Sequence, residues 1–408
     1  MNLSYFISRR ISQEQREGFA SVIHRIAIVS IAVGLAAMIV SFLIMKGFQE
    51  TVERKIYGFS GHLTIKRFSR NNSPEEQPMN YKIDLYKHPE KYPFIDHVQE
   101  YAHKAGLVKT ENEVLGIVVK GVGKSFDVPA FGSNLVAGKF ISFPDSGYSH
   151  DIVISRTIAN KLKVNMGDNL IVHFFQNPPR FRKLIVSGIY ETNLSEYFDS
   201  RIIIADIRMI QRLNDWSASL AGGLEVFVKD DRRIDEAHAA LDAIVDDDYE
   251  KDVESVSDQF TNVFEWLQLV ARQVNILLAI ILGVICLNMV SIVLILVMER
   301  TQMIGTLKAL GAGDGFIRSV FLYNGIRLVL KGLFWGNLLG LGVSYAQYRF
   351  KLITLNPHDY YMNFVPISWH WGIVGMLNLL VFAVVTVVLL LPTMIIARIN
   401  PIKAIRFD

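Results

Sequence analysis

Four long apolar runs dominate the pattern of hydrophobic and polar positions along the chain. The first, residues 24–45, holds about 22 residues and would reach about 33 Å as a helix, enough to cross the roughly 30 Å hydrocarbon layer of a membrane. The pattern therefore predicts a membrane protein with four transmembrane helices, at residues 24–46, 268–298, 318–346 and 371–397.

A polar interval separates the first two runs. Residues 47–267 contain no apolar run long enough to span a membrane, and short strand-like segments alternate there with helical ones. The predicted strands are 62–66, 114–120, 151–155, 169–175, 183–188, 201–204 and 224–228. We expect a large α+β extracytoplasmic domain of two lobes, a membrane-proximal lobe formed by 58–110 and 217–262 and an inserted lobe at about 111–216.

Helical periodicity does not stop where the first membrane span would end. Phe48, Val52 and Ile56 repeat every four residues after the charged Lys46, and a similar pattern leads from near residue 260 into the second run. The first two transmembrane helices are therefore expected to continue beyond the membrane as stalks that frame the extracytoplasmic domain.

Basic residues in the short connections set the expected orientation. They occur in an amphipathic lead-in at 1–23, in the connection 299–317 and in the tail 398–408, whereas the loop 347–370 is rich in Tyr and Trp. Short loops rich in Lys and Arg stay in the cytoplasm, and Tyr and Trp favour the membrane interface. Both termini and 299–317 are therefore predicted to be cytoplasmic, with the large domain and 347–370 outside. A disordered basic tail is the alternative for the lead-in.

The connection between the second and third runs has the pattern of a short amphipathic helix. Met303, Ile304, Leu307 and Leu310 recur at helical spacing, and Gly311 follows where a left-handed C-cap would end the helix. Such a helix would offer a contact to a soluble cytoplasmic partner. The alternative is a solvated loop whose apolar residues dip into the lipid headgroups.

Small residues recur at helical spacing in two of the predicted spans. They are Ser30, Gly34, Ala37 and Ser41 in the first span, and Gly332, Gly336, Gly340 and Ser344 in the third. Small side chains at this spacing let another helix approach closely. The pattern predicts helix–helix packing in both spans, although small residues are also common in membrane helices that do not pack in this way.

Composition and motifs exclude several functions. The 408 residues are 51% hydrophobic, carry a formal net charge of +3 and include one cysteine, Cys286. Scattered basic residues and a single cysteine argue against nucleic-acid binding, an internal disulfide and a cysteine-based zinc site. Residues 121–125 (GVGKS) lack the leading glycine of a phosphate-binding loop, and 246–248 lack the alternation of a calcium loop. No metal site or catalytic motif is predicted, so energy for movement would come from a partner.

Four segments carry a resemblance to a known family. They are 45–48 (MKGF), 179–191 (PRFRKLIVSGIYE), 298–311 (MERTQMIGTLKALG) and 391–406 (LPTMIIARINPIKAIR). They are similar to the first-span exit, an outer-domain strand pair, the coupling-helix region and the C-terminal signature of that family. With its order of one span, a large outer domain and three further spans, the chain resembles ABC-transporter permeases of the FtsX/MacB superfamily, within it the lipoprotein-releasing LolC/LolE type.

The resemblance implies a non-catalytic subunit of a larger assembly. Two permease subunits, alike or different, would pair with two copies of a cytoplasmic ATPase that binds ATP and Mg, so this chain itself would hold no cofactor. The cargo would be a lipoprotein, taken from the outer leaflet of the bacterial inner membrane and passed to a periplasmic carrier.

The resemblance also suggests roles for particular residues. The residues expected to contact the ATPase are Glu299, Met303, Ile304, Leu307, Lys308 and Leu310. The residues expected to line an inter-subunit groove for acyl chains are Ser30, Gly34, Ala37 and Ser41. A carrier would contact Pro178, Pro179, Arg180 and Phe181, although the loop at 176–182 is short for this purpose. Two other functions stay open: an FtsX-like transmitter that controls a cell-wall hydrolase, and a MacB-like efflux permease.

Overall fold

The computed structural model describes residues 19–69, 73, 75–110, 113–245, 251–356 and 360–393. Residues 1–18 of the predicted lead-in, the acidic stretch 246–248, the end of the fourth predicted span and the tail 398–408 lie outside the described residues.

The elements are numbered in chain order. The α-helices are α1 Phe19–Ser60, α2 Asp84–Lys87, α3 Val128–Phe131, α4 Arg156–Leu162, α5 Ile207–Leu213, α6 Ile234–Val245, α7 Val256–Gln259, α8 Thr261–Glu299, α9 Thr301–Ala309, α10 Asp314–Phe350, α11 Trp371–Val388 and α12 Leu390–Thr393. The strands are β1 Leu63–Arg67, β2 Met79–Asn80, β3 Ile95–Lys109, β4 Val114–Val122, β5 Leu135–Gly138, β6 Asp151–Ser155, β7 Asn169–Phe174, β8 Arg180–Tyr190, β9 Ile202–Asp206, β10 Leu220–Ala221, β11 Gly223–Val228 and β12 Lys251–Ser255.

The chain divides into two compact units. The membrane unit draws on residues 1–50, 266–354 and 364–408, and the outer unit on 51–265 and 355–363. Four of the described helices are long and apolar enough to cross a membrane, over Ser21–Ser60, Thr261–Glu299, Asp314–Phe350 and Trp371–Pro392. By length and composition, this finding confirms the four predicted spans. α1 runs without a break past Lys46 to Ser60, and α8 already begins at Thr261.

Within the membrane unit, the glycines of α10 lie directly on α1. A Cβ atom on Gly332 would come within 2.6 Å of Cβ of Ile31. At Gly336 and Gly340 a Cβ would lie 3.0 Å from backbone atoms of Ala32 and Ala36. Only glycine lets the two helix backbones approach this closely, so the small-residue ridge of α10 forms their contact.

Polar side chains also link the membrane helices. The amides of Asn337 on α10 and Asn378 on α11 donate to each other at 2.7 and 2.9 Å, and each also donates to a carbonyl one turn earlier in its own helix. The pairing satisfies both amides where water would be scarce, and it fixes the rotation of α11 against α10.

Replacing Asn378 by leucine is expected to lower the free energy of unfolding by about 1 kcal/mol, because the amide of Asn337 then loses its partner across the helix contact. Thermal unfolding of the purified full-length protein in detergent would measure the change. Asn337→Leu should cost a similar amount, and the double variant little more than either single one, because all three remove one contact. Fully additive losses would contradict this account.

One mixed sheet organises the outer unit. Its strands are hydrogen-bonded in the order β12-β1-β11-β3-β4-β9-β6-β8-β5, and β7 pairs with both β3 and β8. β4 with β9 and β6 with β8 are parallel pairs, and the other pairs in this sheet are antiparallel. A separate two-stranded sheet joins β2 and β10.

Two hydrophobic clusters lie along this sheet. One packs β1, β11 and β12 against α6 and α2, and the other packs β4, β6, β7, β8 and β9 against α4 and α5. β3 contributes Ile95 and Val98 to the first cluster and Ala102 and Val108 to the second. A continuous sheet thus joins the ranges predicted to form two lobes, and the division into two lobes stays a prediction.

Candidate functional site

The short helix α9 is held against the membrane unit by its apolar side. Ile304 is fully buried, and Met303 and Leu307 are half-buried against the same hydrophobic core. Lys308 forms an ion pair of 2.9 Å with Asp314 at the start of α10. Gly311 then adopts φ +88°, the left-handed conformation that suits glycine after a helix.

This arrangement corrects one predicted role. Ile304 is 0% exposed and packs in the core, so it does not offer a contact to a soluble partner. The exposed positions near α9 include Glu299 at the end of α8, together with Gln302, Thr306 and Leu310. Leu310 is 80% exposed. Of the residues predicted to couple to an ATPase, Glu299 and Leu310 are the most accessible, and the assignment stays a prediction.

Two of the four small residues of α1, Ser30 and Gly34, contact α8 of the same chain. A Cβ atom on Gly34 would lie 2.5 Å from Cδ1 of Ile285, and Nδ2 of Asn288 donates to Oγ of Ser30 at 2.9 Å. Ala37 and Ser41 are half-buried. The exposed apolar positions of α1 are instead Val22, Ile26, Val29 and Val33. An inter-subunit groove lined by the small residues stays a prediction, and Ser30 and Gly34 already have intramolecular neighbours.

In the outer unit, a buried ion pair holds the C-terminal end of α1. Lys120 on β4 and Glu225 on β11 lie 2.6 Å apart, with side chains only 2% and 3% exposed. The Lys120 ammonium group also donates to the backbone carbonyl of Phe59, and Gln99 donates to the second carboxylate oxygen of Glu225 at 2.7 Å. The last carbonyls of a helix have no partner within it, so Lys120 acts as a charged C-cap that ties α1 to the sheet.

The chain turns from α1 into β1 beside this ion pair. Gly61 adopts φ +74° and donates to the carbonyl of Tyr57 at 2.8 Å, which ends the helix. His62 accepts from the amide of Val228 at 3.1 Å through Nδ1 and contacts Asp231 through Nε2 at 3.0 Å. Burial lowers the pKa of His62 although Asp231 opposes the shift, so the ring joins α1 to β11 as a neutral group.

A cavity of about 550 Å³ lies against one face of the sheet in the outer unit. The acidic residues of its wall each have a basic partner: Glu254 bonds Lys66, Glu225 bonds Lys120, Glu76 bonds His103 at 2.6 Å and Glu75 bonds Lys104 at 2.8 Å. Burial alone would raise the pKa of Glu76, but His103 lowers it below its ordinary value. These carboxylates therefore hold the strands and the neighbouring loop together rather than forming a cation site.

The predicted carrier-contact residues lie at the tip of the β7–β8 hairpin. Pro178 and Pro179 are exposed, and Phe175 and Phe181 are 71% and 63% exposed. Arg180 instead points back to the domain: it pairs with Asp215 at 3.0 Å and donates to the carbonyl of Leu213 at 2.8 Å. Arg180 thus braces the hairpin, while the two phenylalanines offer an apolar surface.

Two family matches cover most of the chain. Residues 26–244 match the MacB-like periplasmic core domain, and residues 275–401 match the FtsX-like permease C-terminal family. The chain belongs to the FtsX/MacB superfamily of ABC transporter permeases. The first match covers the outer-unit sheet except β12, and the second covers α9, α10 and α11.

Proteins of this superfamily resemble the chain over nearly its whole length. The lipoprotein-releasing system transmembrane protein LolC of Neisseria meningitidis is 24% identical over 98% of this chain and 98% of its own length. The corresponding LolE of Haemophilus influenzae is 23% identical over 99% of each chain. The macrolide export ATP-binding/permease protein MacB of Agrobacterium fabrum is 26% identical over 78% of this chain and 47% of its own length.

Sequence reasoning did not identify Lys120 and Glu225. A signal was present: each is the one charged residue of an otherwise apolar strand, β4 (VLGIVVKGV) and β11 (GLEVFV), and the two charges are opposite. A lone charge in an apolar strand is buried only when it is paired, so opposite charges on two such strands indicate that the strands are close in the sheet.

Proposed function

We propose that this chain is the permease subunit of an ATP-driven transporter that extracts lipoproteins from the outer leaflet of a bacterial inner membrane and passes them to a periplasmic carrier. The observation that carries the proposal is the similarity, over 98% or more of the chain, to relatives named for lipoprotein release. The shorter match to a macrolide exporter makes efflux the second candidate.

The proposed topology places both termini and α9 in the cytoplasm and the outer unit in the periplasm. The distribution of Lys and Arg among the short connections supports it. In this orientation the α9 surface faces an ATPase, which would bind ATP and Mg, and a second permease subunit would complete the assembly. The continuous helices α1 and α8 support a mechanism in which ATP-driven movement at the cytoplasmic face reaches the outer unit.

Replacing Leu310 by aspartate is expected to weaken binding of the ATPase about tenfold, because a charge would be placed at the most exposed apolar position of the proposed contact. Titration of the purified permease in nanodiscs with the ATPase would measure the affinity. Leu310→Met keeps the apolar contact and serves as the matched control. Unchanged binding of the aspartate variant would remove Leu310 from the interface.

Co-purification from native membranes tests the function itself. Solubilised full-length protein would be captured, and the proteins and lipids bound to it identified by mass spectrometry. Recovery of an ATPase together with acylated lipoprotein supports lipoprotein release. An ATPase with a membrane-fusion adaptor and no lipoprotein would favour efflux, and an ATPase with a peptidoglycan hydrolase would favour signal transmission; either result would overturn the proposal.

A further inference from the structure

We infer that Lys55 is a positioning residue for transport: its two hydrogen bonds fasten the outer loop 355–363, of which the structure describes 355, 356 and 360–363, and the segment 192–199 to α1, so that the described parts of the three move as one body. The inference rests on the proposed function, since it names the part of the permease that would carry movement to the outer domain. The fastening itself is argued only from contacts within the outer unit.

Lys55 joins three stretches of chain that are distant in sequence. From the last turns of α1, its ammonium group donates to the carbonyl of Thr192 at 2.7 Å and to the carbonyl of Tyr361 at 2.7 Å. The side chain is half-buried. Hydrogen bonds from a charged donor are stronger than those between neutral groups, and more so when water is partly excluded.

The carbonyl acceptors are themselves held in place. The amide and the hydroxyl of Thr192 both donate to the buried carboxylate of Asp199, the hydroxyl at 2.8 Å. Tyr361 adopts φ +59°, a left-handed conformation that costs a non-glycine residue energy and persists only where the surroundings fix it. The rings of Tyr361 and Tyr197 lie 6.5 Å apart, which adds a second contact between the two stretches.

The loop 355–363 has an unusual place in the chain. It is covalently part of the connection between α10 and α11, yet it groups with the outer unit. Three covalent connections therefore link the outer unit to the rest of the chain: α1, α8 and this loop. Lys55 hydrogen-bonds the loop to α1 through the carbonyl of Tyr361, so replacing it would loosen the loop while the other two connections stay intact.

Hydrogen–deuterium exchange tests the fastening. Lys55→Met removes the donors and keeps the length of the side chain, and the amides of Leu355 and Tyr360, which are bonded within the loop, report on its opening. We expect these amides to exchange about tenfold faster in K55M, because charged hydrogen bonds that hold the loop closed are lost. Lys229→Met is the matched control, since Lys229 also donates to one backbone carbonyl, that of Pro93, at an exposed site. Unchanged exchange in K55M would overturn the inference.

Two further measurements do not depend on that variant alone. Lys55→Arg keeps a cationic donor and is expected to restore slow exchange; exchange as fast as in K55M would mean that packing, not hydrogen bonding, holds the loop, and would overturn the inference. In the unmodified protein, acetylation rates would be measured over a range of pH and corrected for the fraction of each amine that is deprotonated. The corrected rate for Lys55 should be about tenfold lower than that for exposed Lys229, because the hydrogen bonds of Lys55 must open first. Equal rates would contradict the fastening.

The role of Lys55 in transport is tested in proteoliposomes that contain the permease, the ATPase and a lipoprotein. K55M is expected to keep ATP hydrolysis near the wild-type rate and to release cargo about tenfold more slowly, a split that a purely structural role would not produce. Normal release with a loosened loop would overturn the positioning role. If wild-type protein released no lipoprotein while K55M still loosened the loop, the proposed function would fail and the fastening would stand.

Discussion

Replacing Lys120 by methionine is expected to destabilise the protein by about 3–5 kcal/mol, because Glu225 would keep its charge in the interior without a partner. Lys120 and Glu225 are almost completely buried, and the next contact of the carboxylate is the neutral amide of Gln99. The variant would also leave the Phe59 carbonyl at the end of α1 without its charged cap. Chemical or thermal unfolding of the purified full-length protein would measure the loss.

Two variants separate the buried pair from a general effect of losing a lysine. Lys124→Met removes a lysine whose ion pair with Asp145 is 3.5 Å long and exposed, so its cost should stay below about 0.5 kcal/mol. The double variant Lys120→Met with Glu225→Gln removes the unpaired charge and should recover much of the loss. If K120M and K124M were equally stable, Lys120 would not be the cap and ion-pair partner described here.

Buried charges also explain why one strand of the sheet was not predicted from the sequence. β3 is the longest strand, yet no strand was predicted at 95–109. It carries Glu100 and Lys104, each 5% exposed, and their partners Tyr86 and Glu75 come from other parts of the chain. In sequence, a charge that is buried in a pair looks the same as a solvated one, because the partner that compensates it is far away along the chain.

Strands that form a short apolar run, or that alternate apolar with polar residues, were predictable. β6 occupies the predicted range 151–155, and β7 at Asn169–Phe174 ends one residue before its predicted end. In β7 the buried positions Leu170, Val172 and Phe174 alternate with exposed ones, so period two is visible in the residues themselves. The strand order was not predictable, because it depends on long-range pairing such as that of β7 with β3.

The candidate coupling helix shows what amphipathic spacing does and does not specify. The spacing of Met303, Ile304 and Leu307 predicted a helix, and α9 covers these positions. Periodicity identifies an apolar face but not what covers it. Here Met303, Ile304 and Leu307 pack on the chain's own membrane helices, whereas Leu310, which follows at the same spacing, lies just past the end of the helix and is exposed. The spacing therefore identified the helix, whereas the residues exposed to a partner required the structure.

The glycine ridge of α10 leads to the second large effect, since the distances specify which glycine is needed. Replacing Gly340 by leucine is expected to cost about 1–3 kcal/mol, because its Cβ would already lie 3.0 Å from Cα of Ala36 and the rest of the side chain would push α1 and α10 apart.

Gly342 lies two residues further along the same helix, and a Cβ there would meet no heavy atom within 4 Å. Gly342→Leu makes the same chemical change at an exposed position, so its effect on stability should stay within about 0.5 kcal/mol. Both variants replace glycine by leucine in the same helix, so they raise its helix propensity equally. A difference in stability between them would therefore report the contact of residue 340 with α1. Thermal unfolding in detergent decides the matter. A stable G340L protein would show that α1 and α10 do not need their close approach, and equal destabilisation by both variants would point to an effect of leucine itself.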